Sequence, residues 1–510
     1  LHTQKNALKN RHSSSRFVLP QSGNMGVRVN DLTIRLTETG GKCLYQQIYE
    51  YIRDEIRRGE LLEGEKLPST RSLSEYLQVA RSTVDFAYGQ LVAEGYVEAR
   101  PCKGYFVSHV EELFHFPEKA LLEEGIGVGA GKERAGEKGI LYDFSPHAVS
   151  LKDFPYATWK KITKDILVDA NSEMFALGDA QGDIQLRETI SRYLHSSRGV
   201  NCRPEQIVVG AGTDYLFMLL EKILGRHVPI AMENPTYKRA YRVFQSFAYE
   251  IKAIPMDSSG MDVKKLRKTS ARVAYVMPSH QYPTGVVMPI GRRIELLKWA
   301  QEENDRYLIE DDYDSEFRYK GKPVPSLQAS DGDGRVIYMG TFSKSIAPAI
   351  RVGYMVLPPK LLQIYKEQCG FYASTVSRID QRILNEFIRD GYFERYLNKM
   401  RKIYRARHDF LLSHLSPFEE EFMVSGENAG LHILLTSRSK IPERELIMAA
   451  AREGIKLYGI SDACMGQDSI KNTSFENTIL LGYGALEEQE LEKGLMLLEK
   501  AWTPYLKRAR

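Results

Sequence analysis

The sequence lacks the features of a membrane protein and of a disulfide-rich secreted protein. No apolar run approaches the roughly 18–20 uncharged residues that a membrane span needs, and the first residues, "LHTQKNALKNRHSSSRF", have no apolar run of a secretory signal. The five cysteines are scattered without a CxxC pair, which argues against a disulfide framework and against a zinc site. We therefore expect a cytoplasmic protein in a reducing compartment, with no membrane segment and no metal.

A strong net charge is also missing. The formal charge is +4 over 510 residues, which by itself does not indicate a nucleic-acid partner. Residues 1–30 differ from the rest, because they hold five Lys and Arg side chains and no acidic one. We interpret this stretch as a basic flexible tail, and an arm that touches a DNA backbone is the alternative.

A length of 510 residues predicts more than one domain, and an apolar content of 43% is enough for a large packed core. Residues 31–108 have the pattern of a winged helix-turn-helix. "LYQQIYEYIRDEIRRGEL" places apolar residues four apart, as on one face of a helix. "TRSLSEYL" and "RSTVDFAYGQLVAEG" predict two more helices, the second with Ser82 as its N-cap and Asp85 at the capping-box position. "YVEAR" and "GYFVS" predict a hairpin. Three helices and a hairpin in about 65 residues fit a DNA-binding winged helix.

The residue composition and pattern of the chain change at about residue 109 and again at about residue 140. Residues 109–139 are rich in glycine and charge and predict a linker. From residue 140, apolar runs such as "QIVVG", "RVAYVM" and "RYLIED" alternate with helical stretches such as "DYLFMLLEKIL". This alternation predicts an α/β fold around a largely parallel sheet.

One lysine in this second part has an unusual setting. Lys344 lies in "YMGTFSKSIAPAIRVGY", among small, hydroxylated and apolar residues. A buried lysine amine can form a Schiff base with an aldehyde, because burial favours its neutral form. Pyridoxal phosphate (PLP) is the usual aldehyde. A PLP site also needs an acid for the ring nitrogen, a donor for the ring oxygen, a stacking face and a phosphate cup.

The sequence offers each of these groups near a strand end. Asp311 lies at the end of the strand "YLIED" and suits the ring nitrogen, and Tyr313 suits the ring oxygen. Tyr237 in "ENPTYKRAY" is the stacking candidate, and "PSHQYPTG" presents His280 to the site. For the phosphate we expect helix N–H groups together with hydroxyls and one guanidinium, from Gly212, Thr213, Thr341, Ser343 and Arg351.

The motifs of the second part resemble the fold-type-I aminotransferase family from about residue 140 to 505. "GTFSKSIAPAIRVGY" is similar to the Schiff-base segment of that family, and "EDDYDSEF" is similar to its Asp…Tyr segment. The resemblance implies that Lys344 carries PLP, that Arg351 binds the phosphate, and that Asp311 and Tyr313 contact the ring. It also implies a large mostly parallel sheet with a small C-terminal α+β subdomain over residues 140–510.

Residues 44–107 resemble the GntR winged-helix family, whose pattern is matched by "LPSTRSLSEYLQVARSTVDFAYGQLVAEGY". The two modules in this order resemble the MocR subfamily of bacterial transcription regulators. Two departures from the aminotransferase pattern matter. Tyr282 stands where the family has an Asn before "PTG", and the last strand, "NTILLGYGAL", has no Arg for a substrate carboxylate. By analogy with a GABA-responsive member of the subfamily, Arg239 could bind an effector carboxylate instead.

The DNA-binding prediction depends on the placement of residues, not on bulk charge. Residues 31–108 hold 10 Lys and Arg against 12 Asp and Glu. The residues expected at phosphates and base edges open two helices or form the wing tip, and they are Ser69, Arg71, Arg81, Ser82, Thr83, Lys103 and Gly104. The alternative is a winged helix that contacts only protein.

The expected function is a PLP-dependent regulator that binds promoter double-stranded DNA. A small amino-compound effector would form an external aldimine with PLP, free Lys344 and alter promoter binding. The resemblance implies a homodimer, arranged head-to-tail with each DNA-binding domain over the partner's large domain. Two alternatives stay open: an active aminotransferase with an accessory DNA module, and a PLP-level sensor that controls vitamin B6 synthesis. We expect at most residual half-transamination.

Overall fold

The computed structural model describes residues 34, 36, 42–109, 139–319, 324–466 and 475–506. The chain divides into two compact units, Leu1–Arg134 and Ala135–Arg510. The predicted tail, residues 1–30, and nearly all of the predicted linker lie outside the described residues. Within the described part of the chain, no helix is long and apolar enough to cross a membrane.

The first unit consists of three helices followed by a two-stranded hairpin. The elements are α1 (Leu44–Arg57), α2 (Thr70–Leu77), α3 (Arg81–Ala93), β1 (Val97–Arg100) and β2 (Gly104–Val107). The four-residue spacing in α1 buries Ile48, Ile52 and Ile56, and these side chains pack on Val84 and Leu91 of α3. The predicted winged helix-turn-helix is therefore confirmed.

The start of α3 differs from the prediction. Ala80, in an extended conformation, is the N-cap of this helix, and no side chain caps it. Ser82 is the second helical residue and is exposed. The reason is that the backbone already turns helical at Arg81, so the Ser82 hydroxyl cannot reach the orphan N–H groups of the first turn. In α2, by contrast, Ser69 is a true N-cap and accepts a hydrogen bond from Ser72 N at 3.1 Å.

The second unit is built around an eight-stranded sheet covered by helices. The large sheet contains β4 (Ile207–Gly210), β5 (Ile230–Asn234), β6 (Ile251–Asp257), β7 (Gly260–Met261), β8 (Val273–Val276), β9 (Tyr307–Asp312), β10 (Val336–Thr341) and β11 (Gly353–Val356). Its helices are α4 (Tyr156–Ile166), α5 (Ile184–Arg198), α6 (Thr213–Leu224), α7 (Lys238–Ser246), α8 (Val263–Leu266), α9 (Ile290–Gln301), α10 (Phe342–Ser345), α11 (Pro359–Gln368), α12 (Arg378–Arg389) and α13 (Tyr392–Ser413).

The strand order is β4-β11-β10-β9-β8-β5-β6-β7. The pairs β10/β9, β9/β8, β8/β5 and β5/β6 are parallel, whereas β11 is antiparallel to both of its neighbours and β7 is antiparallel to β6. All strands except β11 and β7 therefore run in one direction. The predicted α/β fold class, with a mostly parallel sheet, is confirmed.

Both faces of this sheet are buried, which explains the nearly continuous apolar runs in its strands. On β9, Ile309 packs with α6 and α7 through Phe217 and Phe244. The adjacent Leu308 points to the other face, where it packs with Trp299 of α9. The central strands are thereby fixed in register, and so are the residues that follow their ends.

A smaller four-stranded antiparallel sheet forms the C-terminal subdomain, in the order β12-β13-β16-β15. Its elements, with the short pair β3/β14, are β3 (Tyr142–Asp143), β12 (Phe422–Ser425), β13 (His432–Ser437), α14 (Glu443–Arg452), β14 (Ile455–Lys456), β15 (Tyr458–Gly459), β16 (Thr478–Gly482) and α15 (Glu488–Leu506). Strand β3 pairs in parallel with β14, so the chain just after residue 139 is fixed to this subdomain.

Candidate functional site

A cavity of about 250 Å³ lies where the parallel strands of the large sheet end, the usual place for ligands in α/β sheets. Ten of the predicted site residues line it together: Gly212, Thr213, Tyr237, Arg239, Asp311, Tyr313, Thr341, Ser343, Lys344 and Arg351. Their elements explain this convergence. Asp311 is the penultimate residue of β9, Thr341 ends β10, Gly212 follows β4, and Tyr237 follows β5.

Lys344 lies in the short helix α10, directly after β10. Its Nζ donates a hydrogen bond to the Pro146 carbonyl oxygen at 3.0 Å. Burial lowers the pKa of the Lys344 amine to about 8, while the Asp314 carboxylate acts in the opposite direction. A substantial fraction of the amine is therefore neutral near physiological pH, as a nucleophile requires.

Asp311 presents one free carboxylate oxygen. Its Oδ2 accepts a hydrogen bond from the buried Tyr275 hydroxyl, whereas its buried Oδ1 has no hydrogen-bond partner among the described residues. Burial raises the pKa of Asp311 to about 7, and the neighbouring Asp312 and Asp314 add to this shift. A cationic ring nitrogen in the pocket would satisfy Oδ1 and favour the ionised carboxylate.

The opposite end of the pocket is suited to a phosphate group. Gly212, with φ +84°, is the N-cap of the twelve-residue helix α6, whose first N–H groups face this end. The Arg351 guanidinium lies against it, and Nη2 donates to the Ala211 carbonyl oxygen at 3.3 Å. Thr341 Oγ1 accepts from Ser343 N at 3.1 Å, so these two hydroxyl-bearing residues form one tight turn.

Arg239, the residue predicted for an effector carboxylate, already has an acidic partner. Its Nε donates to Asp214 Oδ1 at 2.9 Å, and its Nη2 also donates to this carboxylate. Asp214 in addition accepts from Arg351 Nη2 at 3.4 Å. An incoming carboxylate would therefore compete with Asp214 for Arg239, at the exposed mouth of the pocket.

His280 is the predicted site residue that does not line the cavity. It is buried behind Tyr313, with its Nδ1 at 3.0 Å from the Tyr313 hydroxyl oxygen. It therefore contacts a pocket residue and not the pocket space.

Three further residues line the pocket and were not predicted as site residues: His147, Tyr282 and Pro348. The Tyr282 hydroxyl lies 3.0 Å from His147 Nε2. The rings of His147 and Tyr282 lie 5.9 and 5.8 Å from that of Tyr237. Tyr282 was visible in the sequence as a replacement for Asn, but no motif marks His147, which belongs to an irregular segment nearly 200 residues before Lys344.

The residues present fit PLP on structural grounds. The unpartnered Asp311 Oδ1 matches a ring nitrogen. A side chain at Gly212 would place its Cβ 2.8 Å from Arg351 Nη2, so glycine lets the guanidinium keep its present position against the helix N-terminus. Lys344, which lines the same cavity, supplies an amine with a lowered pKa.

In the first unit, the predicted DNA-contacting residues occupy exposed positions. Arg71 is 79% exposed and pairs with Glu75 at 3.0 Å, and Arg81 is 67% exposed and lies 3.7 Å from Asp85. Such surface pairs one turn apart contribute only about 0.3–0.5 kcal/mol, so a phosphate can displace the acid. Ser69 and Ser82 are exposed, Thr83 is half-buried, and Lys103 and Gly104 lie at the hairpin turn.

Comparisons with known proteins match both units. The family model "Aminotransferase class I and II" matches residues 150–454, and the model "Bacterial regulatory proteins, gntR family" matches residues 44–107. The uncharacterized HTH-type transcriptional regulator YdeL of Bacillus subtilis is 38% identical over 473 residues, which are 92% of this chain and 99% of the relative. The probable rhizopine catabolism regulatory protein MocR of Rhizobium meliloti is 30% identical over 474 residues, 90% and 94% of the two chains.

The chain belongs to the MocR subfamily of GntR-type regulators. The second unit of this MocR-type chain has the aminotransferase fold. It resembles the multiple substrate aminotransferase of Thermococcus profundus with a TM-score of 0.65 and 25% identity, covering 78% of this chain and 100% of that one. Within the aminotransferase-like unit, Tyr282 lines the pocket wall and its hydroxyl turns to His147.

Proposed function

We propose that this MocR-type chain is a PLP-dependent transcription regulator. Residues 31–108 bind promoter double-stranded DNA, residues 109–139 connect the units, and residues 140–510 hold PLP and sense a small amino compound. The observation that carries the proposal is that Lys344, Asp311 with its unpartnered Oδ1, and the Gly212–Arg351 pair all line the same cavity.

When bound, PLP supplies an aldehyde that reacts reversibly with amines. The chain's own residues would orient it. Arg351, Thr213 and Ser343 would hold the phosphate, Asp311 Oδ1 would accept from the ring nitrogen, and Tyr237 would cover one ring face. Lys344 Nζ donates to the Pro146 carbonyl oxygen in this structure. The Lys344 amine would therefore regain this hydrogen bond when an effector amine displaces it from PLP.

Amine exchange at Lys344 would affect the position of residues beyond the pocket. Pro146 and His147 follow β3, which pairs with β14 of the C-terminal subdomain. Phe144 N also donates to Lys456 O, and Gly482 N donates to Phe144 O. A change in the Lys344 hydrogen bond thus acts on a segment tied to the small subdomain, an element whose movement could bias DNA affinity.

The DNA-binding role is supported by the position of the basic side chains. Arg71 and Arg81 stand in the first turns of α2 and α3. In a winged helix these turns face phosphates and the major groove. Promoter recognition places such a protein in the cytoplasm of a bacterial cell.

A homodimer is part of the proposal. Many of the exposed large apolar side chains of the second unit fall within one stretch, namely Leu151, Tyr156, Leu167, Val168, Phe175, Leu177 and Ile184. Leu177 is 90% exposed. Exposed large apolar side chains of this kind are candidates for the contact with a second copy, and a head-to-tail dimer would give two DNA-binding units for two half-sites. Light scattering of Leu177→Glu beside the unchanged chain tests this: the variant should be smaller in mass at equal concentration.

The deciding experiment records the visible absorption of the PLP-loaded chain while single amino compounds are added, in parallel with DNA binding. Borohydride reduction followed by peptide mass analysis should place the cofactor on Lys344, and Lys344→Ala should lose both the label and the response. If one compound changes the spectrum to a stable end point and shifts DNA affinity, the proposal stands.

Other outcomes contradict it. Conversion to the pyridoxamine form, reversed by a keto acid, would show an aminotransferase that turns over. A change of DNA affinity caused by PLP alone would show a sensor of the cofactor. A label distributed over other lysines would exclude Lys344 as the attachment site.

A further inference from the structure

A buried histidine contacts the Tyr313 hydroxyl on the side away from the pocket. His280 Nδ1 lies 3.0 Å from the Tyr313 hydroxyl oxygen and 3.0 and 3.1 Å from the two oxygens of Asp314. His280 and Asp314 are both buried at 2% exposure, and neither lines the pocket. Tyr313 is thus the one member of this cluster that reaches the cavity.

The position of one proton decides what Tyr313 can do. A buried carboxylate needs a donor, and His280 Nδ1 lies within hydrogen-bond distance of both Asp314 oxygens. The Tyr313 hydroxyl is the other group close to Asp314, and it would point away from the pocket if it donated there. The other ring nitrogen, Nε2, is buried without a partner among the described residues. A buried lone pair left unpaired is tolerated more readily than a buried N–H. The imidazole tautomer with its proton on Nδ1 therefore satisfies the cluster best.

We propose that His280 is a positioning residue whose Nδ1–H donates to Asp314 and to the Tyr313 oxygen, and so directs the Tyr313 O–H into the pocket. The Tyr313 hydroxyl then donates to the ring oxygen of bound PLP. This last step rests on the proposed function, whereas the tautomer of His280 and the direction of the Tyr313 proton do not.

The imidazole ring cannot easily turn to offer Nε2 instead. It packs on the backbone of Gly430, where an added Cβ would lie 2.0 Å from His280 Cε1. Gly430 has φ +80°, a conformation that other residues adopt reluctantly, so a glycine here both fits the turn and fixes the ring plane. The Gly430 N–H is itself bonded to the Phe317 carbonyl oxygen at 2.8 Å.

The other charged and titratable groups near the cluster do not compete for this proton. The His432 ring lies 5.6 Å from that of His280, but its Nε2 donates to the Pro283 carbonyl oxygen at 2.9 Å, and burial lowers the pKa of His432. Asp311 is paired with Tyr275. Arg198 and Arg318 line a small cavity beside the His280 ring. The Tyr282 ring lies 6.3 Å from the Tyr313 ring, and Lys344 lies in the main pocket.

The first test is a double-mutant cycle on the PLP-loaded full-length chain. The readout is the pH midpoint at which the visible absorption of the lysine-bound cofactor changes. Loss of a hydrogen bond to the anionic ring oxygen raises that midpoint, by about one pH unit for a bond of ordinary strength. Tyr313→Phe should show this rise, and His280→Leu should show a similar one.

The control variants separate positioning from general damage. His280→Asn keeps an N–H near the Nδ1 position and should restore the midpoint of the unchanged chain. In the Tyr313→Phe background, His280→Leu should add no further rise, since His280 acts through the Tyr313 hydroxyl. An equal rise in both backgrounds, or no rise in His280→Leu, would overturn the proposal.

The second test needs no cofactor. In the PLP-free chain labelled with ¹⁵N-histidine, the signals lost in His280→Asn report the ring of His280. We expect the chemical shifts of a neutral imidazole protonated at Nδ1; protonation at Nε2 would refute the inference even if PLP binds at Lys344. Conversely, a chain that binds no PLP would refute the proposed function and leave this measurement intact.

Discussion

The Arg351 guanidinium lies against Gly212 so closely that a Cβ built on Gly212 would be 2.8 Å from Nη2 and 3.0 Å from Cζ. Gly212 also has φ +84°. We expect Gly212→Ala to displace Arg351 and to weaken PLP binding by about tenfold to a hundredfold, the range expected when a charge-assisted hydrogen bond is lost. Equilibrium dialysis of PLP measures this.

Gly225→Ala is the matched control for this variant. Gly225, at the other end of α6, has φ +90° but its nearest neighbour to an added Cβ is 4.0 Å away. Both variants strain the backbone, and only Gly212→Ala crowds the guanidinium. Equal losses of PLP affinity in the two variants would show that backbone strain, not the Arg351 contact, decides binding.

Reaction of Lys344 with pyridoxal should follow the lowered pKa of its amine. Because burial brings that pKa to about 8, the rate of labelling should rise with pH up to about 8 and then level off, as the neutral amine is the nucleophile. Asp314 favours the charged amine, so Asp314→Asn should move the midpoint to lower pH. Borohydride trapping followed by mass analysis of the Lys344 peptide gives the rates. A rise that continues toward pH 10.5 would contradict the burial argument.

Asp311 should make the stability of the PLP-free chain depend on pH. Its folded-state pKa of about 7 lies above its ordinary value of 3.8, so between these values the folded chain binds a proton that the unfolded chain releases. The contribution of Asp311 to stability therefore falls as pH rises from about 4 to 7 and is fully lost above that range. Asp311→Asn removes it.

The measurement is urea unfolding of the unchanged chain and of Asp311→Asn at a series of pH values. The unchanged chain should lose stability relative to the variant as pH increases. In a separate PLP-binding measurement, Asp311→Asn also lacks the acceptor for the PLP ring nitrogen. Its affinity for PLP should fall about tenfold or more. A pH-independent difference in stability would mean that Asp311 is ionised in the folded chain throughout.

Arg81 should contact a DNA phosphate. Arg81→Ala should weaken binding to a mixed-sequence duplex and reduce the slope of log K against log salt by about 0.9, the value for one phosphate contact. Arg58→Ala is the control, since Arg58 is similarly exposed and paired with Glu55 but follows the end of α1. The same change of slope in both variants would indicate general electrostatic attraction without a docked α3.

Local patterns in the sequence were sufficient for the elements and for several site residues. The four-residue spacing of Ile48, Ile52 and Ile56 predicts their burial, and "TRSLSEYL" coincides with α2. Asp311 and Lys344 could be assigned because parallel strands end at one edge of a sheet, so residues after different strands meet there. The N-cap of α3 was predicted wrongly, because Ser82 and Ala80 compete for the helix start and the backbone alone decides between them.

Hydrogen bonds between segments that are distant in the sequence could not be predicted from local patterns. The Pro146 carbonyl reaches Lys344 across 198 positions of the chain, and the adjacent His147 lines the same pocket. Both belong to an irregular segment without a motif. The pairing of Asp214 with both Arg239 and Arg351 and the place of His280 behind Tyr313 also depend on how helices and loops pack on the sheet.

The sequence by itself therefore determined the two modules, the sheet class and the amine and acid of the pocket, because these follow from periodicity and from motifs at strand ends. The tertiary structure decided which of these side chains face the cavity and which act from behind. Burial, which lowers the pKa of Lys344 and raises that of Asp311, is a property of the packed chain and is absent from any local pattern.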